Sequence, residues 1–232
     1  MWRTCMLGAV AVAVAAFTTS AARADVITTV PAWDGNMAIA TMGAPGAGAA
    51  TTVGQTFTAG GADFDVLTSF TFYARDNVAN PGFNYVAQVY AWNGTAVTGP
   101  ALFAGGAQSQ AGLAFVPITT NTGNLALTTG QQYVALFTSI GFADNGAKAL
   151  FGSVSDSAYA GGTQVYNDYS STASFNSPSR WNYGGNLGDL TFTLNFANAV
   201  PEPSPVALAA VASAVCGVPV LVRRARKGRA VA

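Results

Sequence analysis

What this 232-residue chain lacks narrows its chemistry first: it has no histidine, and its two cysteines, Cys5 and Cys216, lie close to its two ends. A Ser-His-Asp or Cys-His catalytic arrangement and a histidine zinc site are therefore excluded, and residues 25–200 offer no thiolate to ligate zinc instead. Aspartate is what remains for acid–base work. Asp63 and Asp65 share a face if their segment is extended, the kind of carboxylate pair a glycosidase uses, although the same spacing suits a solvated strand edge. Oxygen-rich loops at Asp144-Asn145-Gly146 and Asp76-Asn77 could ligate a structural calcium ion. Neither has EF-hand spacing, and Asx turns account for the same residues. No catalytic residue, metal ligand or cofactor is assigned on this basis. The aromatic residues Trp92, Tyr166, Tyr169, Trp181 and Tyr183 stand beside polar residues and glycines. Of these, Trp92, Trp181 and Tyr183 are candidate glycan contacts, with ring faces to cover sugar C–H groups and polar neighbours to orient hydroxyls. The competing reading is that such rings are partly buried at the edges of a β-sandwich.

The elements that must position these residues read as strands. In "LTFTLNF", residues 190–196, Leu190, Phe192, Leu194 and Phe196 alternate with Thr191, Thr193 and Asn195, so four large apolar side chains share one face at period two. "TSFTFYA" places Phe70 and Phe72 together, and in "FNYVAQVYAW" Val86 and Tyr90 face opposite Ala87 and Val89. "QQYVALFTSI" is apolar on both faces between Tyr133 and Phe137, which suits a central strand covered on both sides. Turn signals separate the runs: "TAGGAD" from Thr58, "NPG" from Asn80, "NGT" from Asn93, "TGN" from Thr122 and "DNG" from Asp144. No fixed-period repeat and no convincing helical window interrupts the pattern between the ends. The prediction is an all-β fold, an antiparallel two-layer β-sandwich, jelly-roll-like in connectivity. "WDGNMAIATMGAPGAGAATT" reads as an extended segment laid over the sandwich, and residues 152–189 as long surface loops around one or two short strands.

Charge is distributed unevenly. The chain is formally neutral, yet seven of its ten cations lie in the two ends. Residues 25–200 keep only Arg75, Lys148 and Arg180 against nine aspartates. Three dispersed cations cannot make a phosphate-binding patch, so nucleic acid is not an expected partner.

The ends carry addresses. Arg3, an apolar run over residues 6–17, and Ala22 and Ala24 around Arg23 have the order of a secretory signal peptide, residues 1–24, with cleavage expected between Ala24 and Asp25. Residues 25–199 then form one cysteine-free domain, stabilised by its core and not by a disulfide. Residues 206–222 carry no charge; these seventeen residues are at the short end of what crosses a roughly 30 Å hydrocarbon layer as a helix. Arg223, Arg224, Arg226, Lys227 and Arg229 follow, a basic cluster that the positive-inside tendency keeps cytoplasmic, leaving the domain outside.

Pro201-Glu202-Pro203, then Ser204, the apolar run and the terminal arginine cluster resemble the PEP-CTERM sorting signal of Gram-negative bacteria, over about residues 200–229. Pro205 and Pro219 are less ordinary for that signal and bear on the regularity of the helix. The resemblance implies that exosortase, a membrane transpeptidase-like enzyme, reads Glu202 on an extended peptide and that the tail is removed during surface delivery. "VGQTFTAGG", "LTSFTFYARD", "VYAWNGTAVTGPALF" and "LALTTGQQYVALFTS" also resemble the domain common in PEP-CTERM proteins, over about residues 53–196. That likeness implies a β-sandwich surface domain and supplies no catalytic residue. Together these readings lead to three expectations. The first is an exported structural or interaction protein of the cell surface or exopolysaccharide matrix, crossing the inner membrane and transiently anchored in it. The second is a carbohydrate-binding module, with extracellular polysaccharide as partner. The third is an aspartate-dependent glycan hydrolase.

Overall fold

The computed structural model describes residues 24–45, 49–60, 65–77, 82–143, 148–154, 158–183 and 188–197. The expected signal segment, except Ala24 at its boundary, and the whole 200–229 tail lie outside the described residues, and with them Pro201, Glu202, Pro203 and the basic cluster. Among the described residues no helix is long and apolar enough to cross a membrane.

The described residues form thirteen strands in two antiparallel sheets packed face to face, with three short 3-10 turns and no α-helix, as the alternating sequence predicts. The first sheet contains β1 (Ala24–Thr28), β2 (Ala38–Gly43), β4 (Val66–Asp76), β7 (Val116–Ala126), β9 (Lys148–Val154), β12 (Asp189–Leu190) and β13 (Phe192–Ala197). The second contains β3 (Thr52–Thr58), β5 (Phe83–Trp92), β6 (Val97–Gln110), β8 (Gln132–Thr138), β10 (Gln164–Asn167) and β11 (Trp181–Tyr183), in the order β11-β10-β3-β8-β5-β6. In the first sheet β4 is the spine. β7 runs along one side of it; along the other, β13 and then β9 follow end to end, with β1 outside β13 and β2 outside β9.

Period-two patterning places one large side chain after another between the sheets. Phe70, Phe72, Phe151, Phe192, Leu194 and Phe196 of the first sheet meet Val53, Phe57, Tyr85, Ala135 and Phe137 of the second. Phe137 is central, with ring centroids 5.1 Å from Phe72, 6.0 Å from Phe151 and 4.4 Å from Tyr85. The two-faced apolarity of β8 also has its predicted consequence. Tyr133, Ala135 and Phe137 enter this core, whereas Val134 and Leu136 enter a second cluster on the outer face, with Tyr90, Trp92, Val165, Phe175 and Trp181.

Three local expectations change. "TGN" at residues 122–124 is no reversal; Gly123 and Asn124, at φ 69° and 63°, lie inside β7, where the register against β4 shifts. The left-handed backbone that these residue types tolerate forms a β-bulge there. "WDGNMAIATMG" is no mere cover, because β2 joins β9 as the edge of the first sheet. Thr191, opposite the apolar face in the alternation, is fully buried beside Gly152, the glycine against which the Trp33 indole lies.

Candidate functional site

The structure brings together two of the residues that the sequence offered for chemistry, Trp92 and Trp181, and scatters the rest. Trp92 and Trp181 retain only 2% and 5% of their surface exposed, and their rings meet edge to face at 5.3 Å. The Trp181 indole N–H donates to Phe175 O at 2.7 Å. This corrects the expectation that their faces are open to a sugar. The outer face of the second sheet is apolar, and residues 168–181 fold over it, so the loop buries these tryptophans instead of displaying them. Tyr183 pairs through its backbone with Val165, and its side chain lies outside the described part. Tyr166 packs against the main core, whereas Tyr169 is exposed beneath the Arg180 guanidinium, 3.9 Å from its ring centroid. Asn93 is occupied in the β5–β6 hairpin, its Oδ1 accepting from Thr95 N–H, Thr95 Oγ1 and Ala96 N–H at 2.8–3.0 Å.

The acidic candidates are equally divided. Asp63 and Asp144-Asn145-Gly146 lie outside the described residues, and Asp65 immediately precedes β4. Asp76 is buried, with Oδ2 accepting from Gly112 N–H at 3.3 Å. Among the described residues no three His, Cys, Asp or Glu side chains converge to hold a metal. Asp189 forms the most elaborate acidic site, and it is sealed. It is 0% exposed; Oδ1 accepts from Gln55 Nε2 and Oδ2 from Tyr159 N–H, both at 2.8 Å. Gln55 Oε1 in turn accepts from Leu190 N–H at 2.9 Å. Gln55 belongs to β3 and Asp189 to β12, so this is a polar clasp between the sheets, with both carboxylate oxygens engaged and no opening for a substrate. Burial, and after it the Asp189 charge, pushes the Tyr159 hydroxyl above its ordinary value, against a hydrogen bond from Thr58 N–H that lowers it.

An open site lies on the other side of the molecule, on the outer face of the first sheet. Because Phe70, Phe72 and Ala74 point into the core, the intervening Thr71, Tyr73 and Arg75 of β4 point outward. Next to them three strands converge: Tyr73 N–H donates to Thr191 O at 3.3 Å, and Thr191 N–H to Gly152 O at 2.7 Å. Trp33, from the loop after β1, covers this junction. A Cβ at Gly152 would come within 2.8 Å of the indole, so only glycine there lets the ring lie against the sheet. Trp33 meets Tyr73 at 5.3 Å and Phe115 edge to face at 5.1 Å, and the Arg75 guanidinium stands 5.1 Å from the Phe115 centroid.

The loop is held in place by its own polar groups. Asp34 Oδ1 accepts from Asn36 N–H at 2.8 Å and Met37 N–H at 2.7 Å, and the Trp33 indole N–H donates to Met37 O at 2.9 Å. The Met37 and Asn36 N–H groups hold the exposed Asp34 carboxyl below its ordinary value. Together Trp33, Gly35, Asn36, Tyr73, Arg75 and Phe115 line a shallow groove of about 520 Å³, with exposed Leu113 on its rim. Residue spacing does not reveal this groove, because Trp33 lies in a segment that reads as an extended cover and Phe115 lies between two strands. The signal was present in β4, where alternation through "TFYARD" sets Tyr73 and Arg75 opposite the phenylalanines.

Fold and site thus define a two-sheet β protein whose second sheet is partly covered by its own loop, with a depression of about 300 Å³ left between Thr58, Trp92, Gln132 and Gly161, and whose first sheet carries an aromatic groove with a cation. No protein-family model and no curated protein matches the chain.

Proposed function

We propose that the chain is an exported protein of the Gram-negative cell surface or exopolysaccharide matrix, which acts by binding and scaffolding and not by catalysis. The observation that carries the interaction reading is the open groove, where half-buried rings, an amide and a guanidinium converge on the solvent side of a rigid sheet. The same groove favours a carbohydrate-binding module as the runner-up. An aspartate-dependent hydrolase gains no support from the sealed Asp189. The connectivity supports reading the sandwich as a jelly roll: β2-β9-β4-β7 and β3-β8-β5-β6 form two four-stranded orders between which the chain repeatedly crosses. Export rests on the ordered ends of the sequence. Cleavage after Ala24 would leave a chain that begins within β1, a strand already tied to β13, so little unpaired chain would precede the sheet. The tail, with Glu202 between Pro201 and Pro203, anchors the protein transiently until exosortase removes it.

The test is Glu202→Ala in a host that carries an exosortase. The expected result is a folded but unshortened, membrane-associated form. A processed terminus and yield identical to the parent's by mass analysis would contradict the sorting role.

A further inference from the structure

We infer that the groove formed by Trp33, Tyr73, Arg75 and Phe115 binds a carboxylate-bearing sugar unit of an extracellular glycan, a specificity that rests on the interaction reading above. The rings set the shape of the ligand. A pyranose presents an apolar C–H face that an aromatic ring can cover and a polar rim that needs donors and acceptors. Tyr73 and Phe115 approach Trp33 from two directions, while Asn36 and Arg75 add polar groups at the same opening. At about 520 Å³ the groove falls within the roughly 300–1,000 Å³ range of small-ligand sites. A lipid chain or wholly apolar peptide would leave the guanidinium and amide without partners.

Arg75 sets the charge of the ligand. It is one of only three cations in residues 25–200, facing nine aspartates in the same span. Its Nη1 donates to Asp76 O at 3.2 Å, and no carboxylate of the described residues is in contact with it. The nearby acids point elsewhere: Asp34 accepts from the N–H groups of its own loop, and Asp76 is buried, its Oδ2 accepting from Gly112 N–H and its Oδ1 without a hydrogen-bond partner. Most of the guanidinium's five donors therefore remain for a ligand, and their planar fork matches a carboxylate bidentately. Packing over Phe115 holds that fork at the groove wall, limiting the side-chain entropy lost on binding. At physiological salt the aspartates beyond a screening length of about 8 Å weigh little against a cation in direct contact.

The platform is pre-organised as well. The Trp33 indole N–H is spent on Met37 O, the loop is closed by Asp34, and Gly152 seats the ring, so the rings need not rearrange to receive a sugar.

The experiment is calorimetric titration of the exported protein with an oligouronate, with the same oligomer after carboxyl reduction to the neutral sugar, and with both ligands against Arg75→Gln and Tyr73→Ala. The parent should bind the oligouronate about tenfold to a hundredfold more tightly than the reduced oligomer, the range for hydrogen bonds to a charged group. Arg75→Gln should abolish that preference while keeping the weaker neutral binding, and Tyr73→Ala should weaken both ligands alike. Arg75→Lys, which keeps charge without the fork, should fall between and guards against a folding defect in the glutamine variant. Equal binding of both oligomers, unaffected at Arg75, overturns the carboxylate specificity but leaves glycan binding standing. Binding of neither oligomer to a folded parent overturns both.

Discussion

Single polar side chains decide where this molecule is closed and where it is open. Gln55 donates to the Asp189 carboxylate and accepts from Leu190 N–H, joining the sheets with neither side chain exposed. Asp189→Asn keeps the shape but turns one acceptor into a donor facing either Gln55 Nε2 or Tyr159 N–H. Loss of hydrogen bonds to a buried charged group should cost about 3 kcal/mol in urea unfolding, and a change below about 0.5 kcal/mol would show that the clasp is not stabilising. Asp34 is the opposite case. Its lowered carboxyl adds to loop stability above the ordinary value of 3.8, and that contribution is lost as the pH falls through the folded value. Neither role was legible from residue type. An aspartate in "GGNLGDL" and one in "AWDGN" look alike in sequence, and only the fold seals one beneath two sheets and leaves the other in water.

At the scale of strands, alternation told most of the story. The face of Leu190, Phe192, Leu194 and Phe196 is buried as predicted, and β8 is covered on both sides. Phe192→Ala should destabilise the protein by about 3–5 kcal/mol, through lost apolar transfer and a cavity, and the half-buried Thr193→Ala by much less. Equal small effects in chemical denaturation would refute the face assignment. What alternation could not show is what lies over a sheet's outer face. Trp181 reads the same in sequence whether its loop stands free or folds back, and the apolar set Tyr90, Trp92, Val134, Leu136 and Val165 decides for folding back. Trp181→Ala is therefore a core substitution, expected to cost about 3–5 kcal/mol and to lower the melting temperature, with the loss of glycan binding confined to unfolded protein. A fully stable Trp181→Ala variant that no longer binds would restore the original reading of that residue.

At the scale of the whole molecule, the sandwich of residues 25–197 holds no cysteine and few charges, so its stability must come from packing, and much of that packing is aromatic. Burial pushes the Tyr85, Tyr90 and Tyr159 hydroxyls above their ordinary value of 10. Because the folded state then holds protons that the unfolded state releases, stability should be unaffected by these groups below about pH 10 and should fall as the pH rises above it. Urea midpoints measured from pH 8 to 11 would reveal this decline; a flat profile would show that the three hydroxyls reach solvent.

The central claim is that the molecule meets its ligand at the aromatic groove on the outer face of the first sheet, the loop of residues 168–181 covering the apolar part of the second. Hydrogen–deuterium exchange of the protein, with and without a saturating oligouronate, tests it most directly. Residues 33–37 and 113–115 should gain protection on binding while residues 92–97 and 168–181 stay unchanged. Protection that falls on residues 92–97 and 175–181, with the Trp33 loop unaltered, would contradict it.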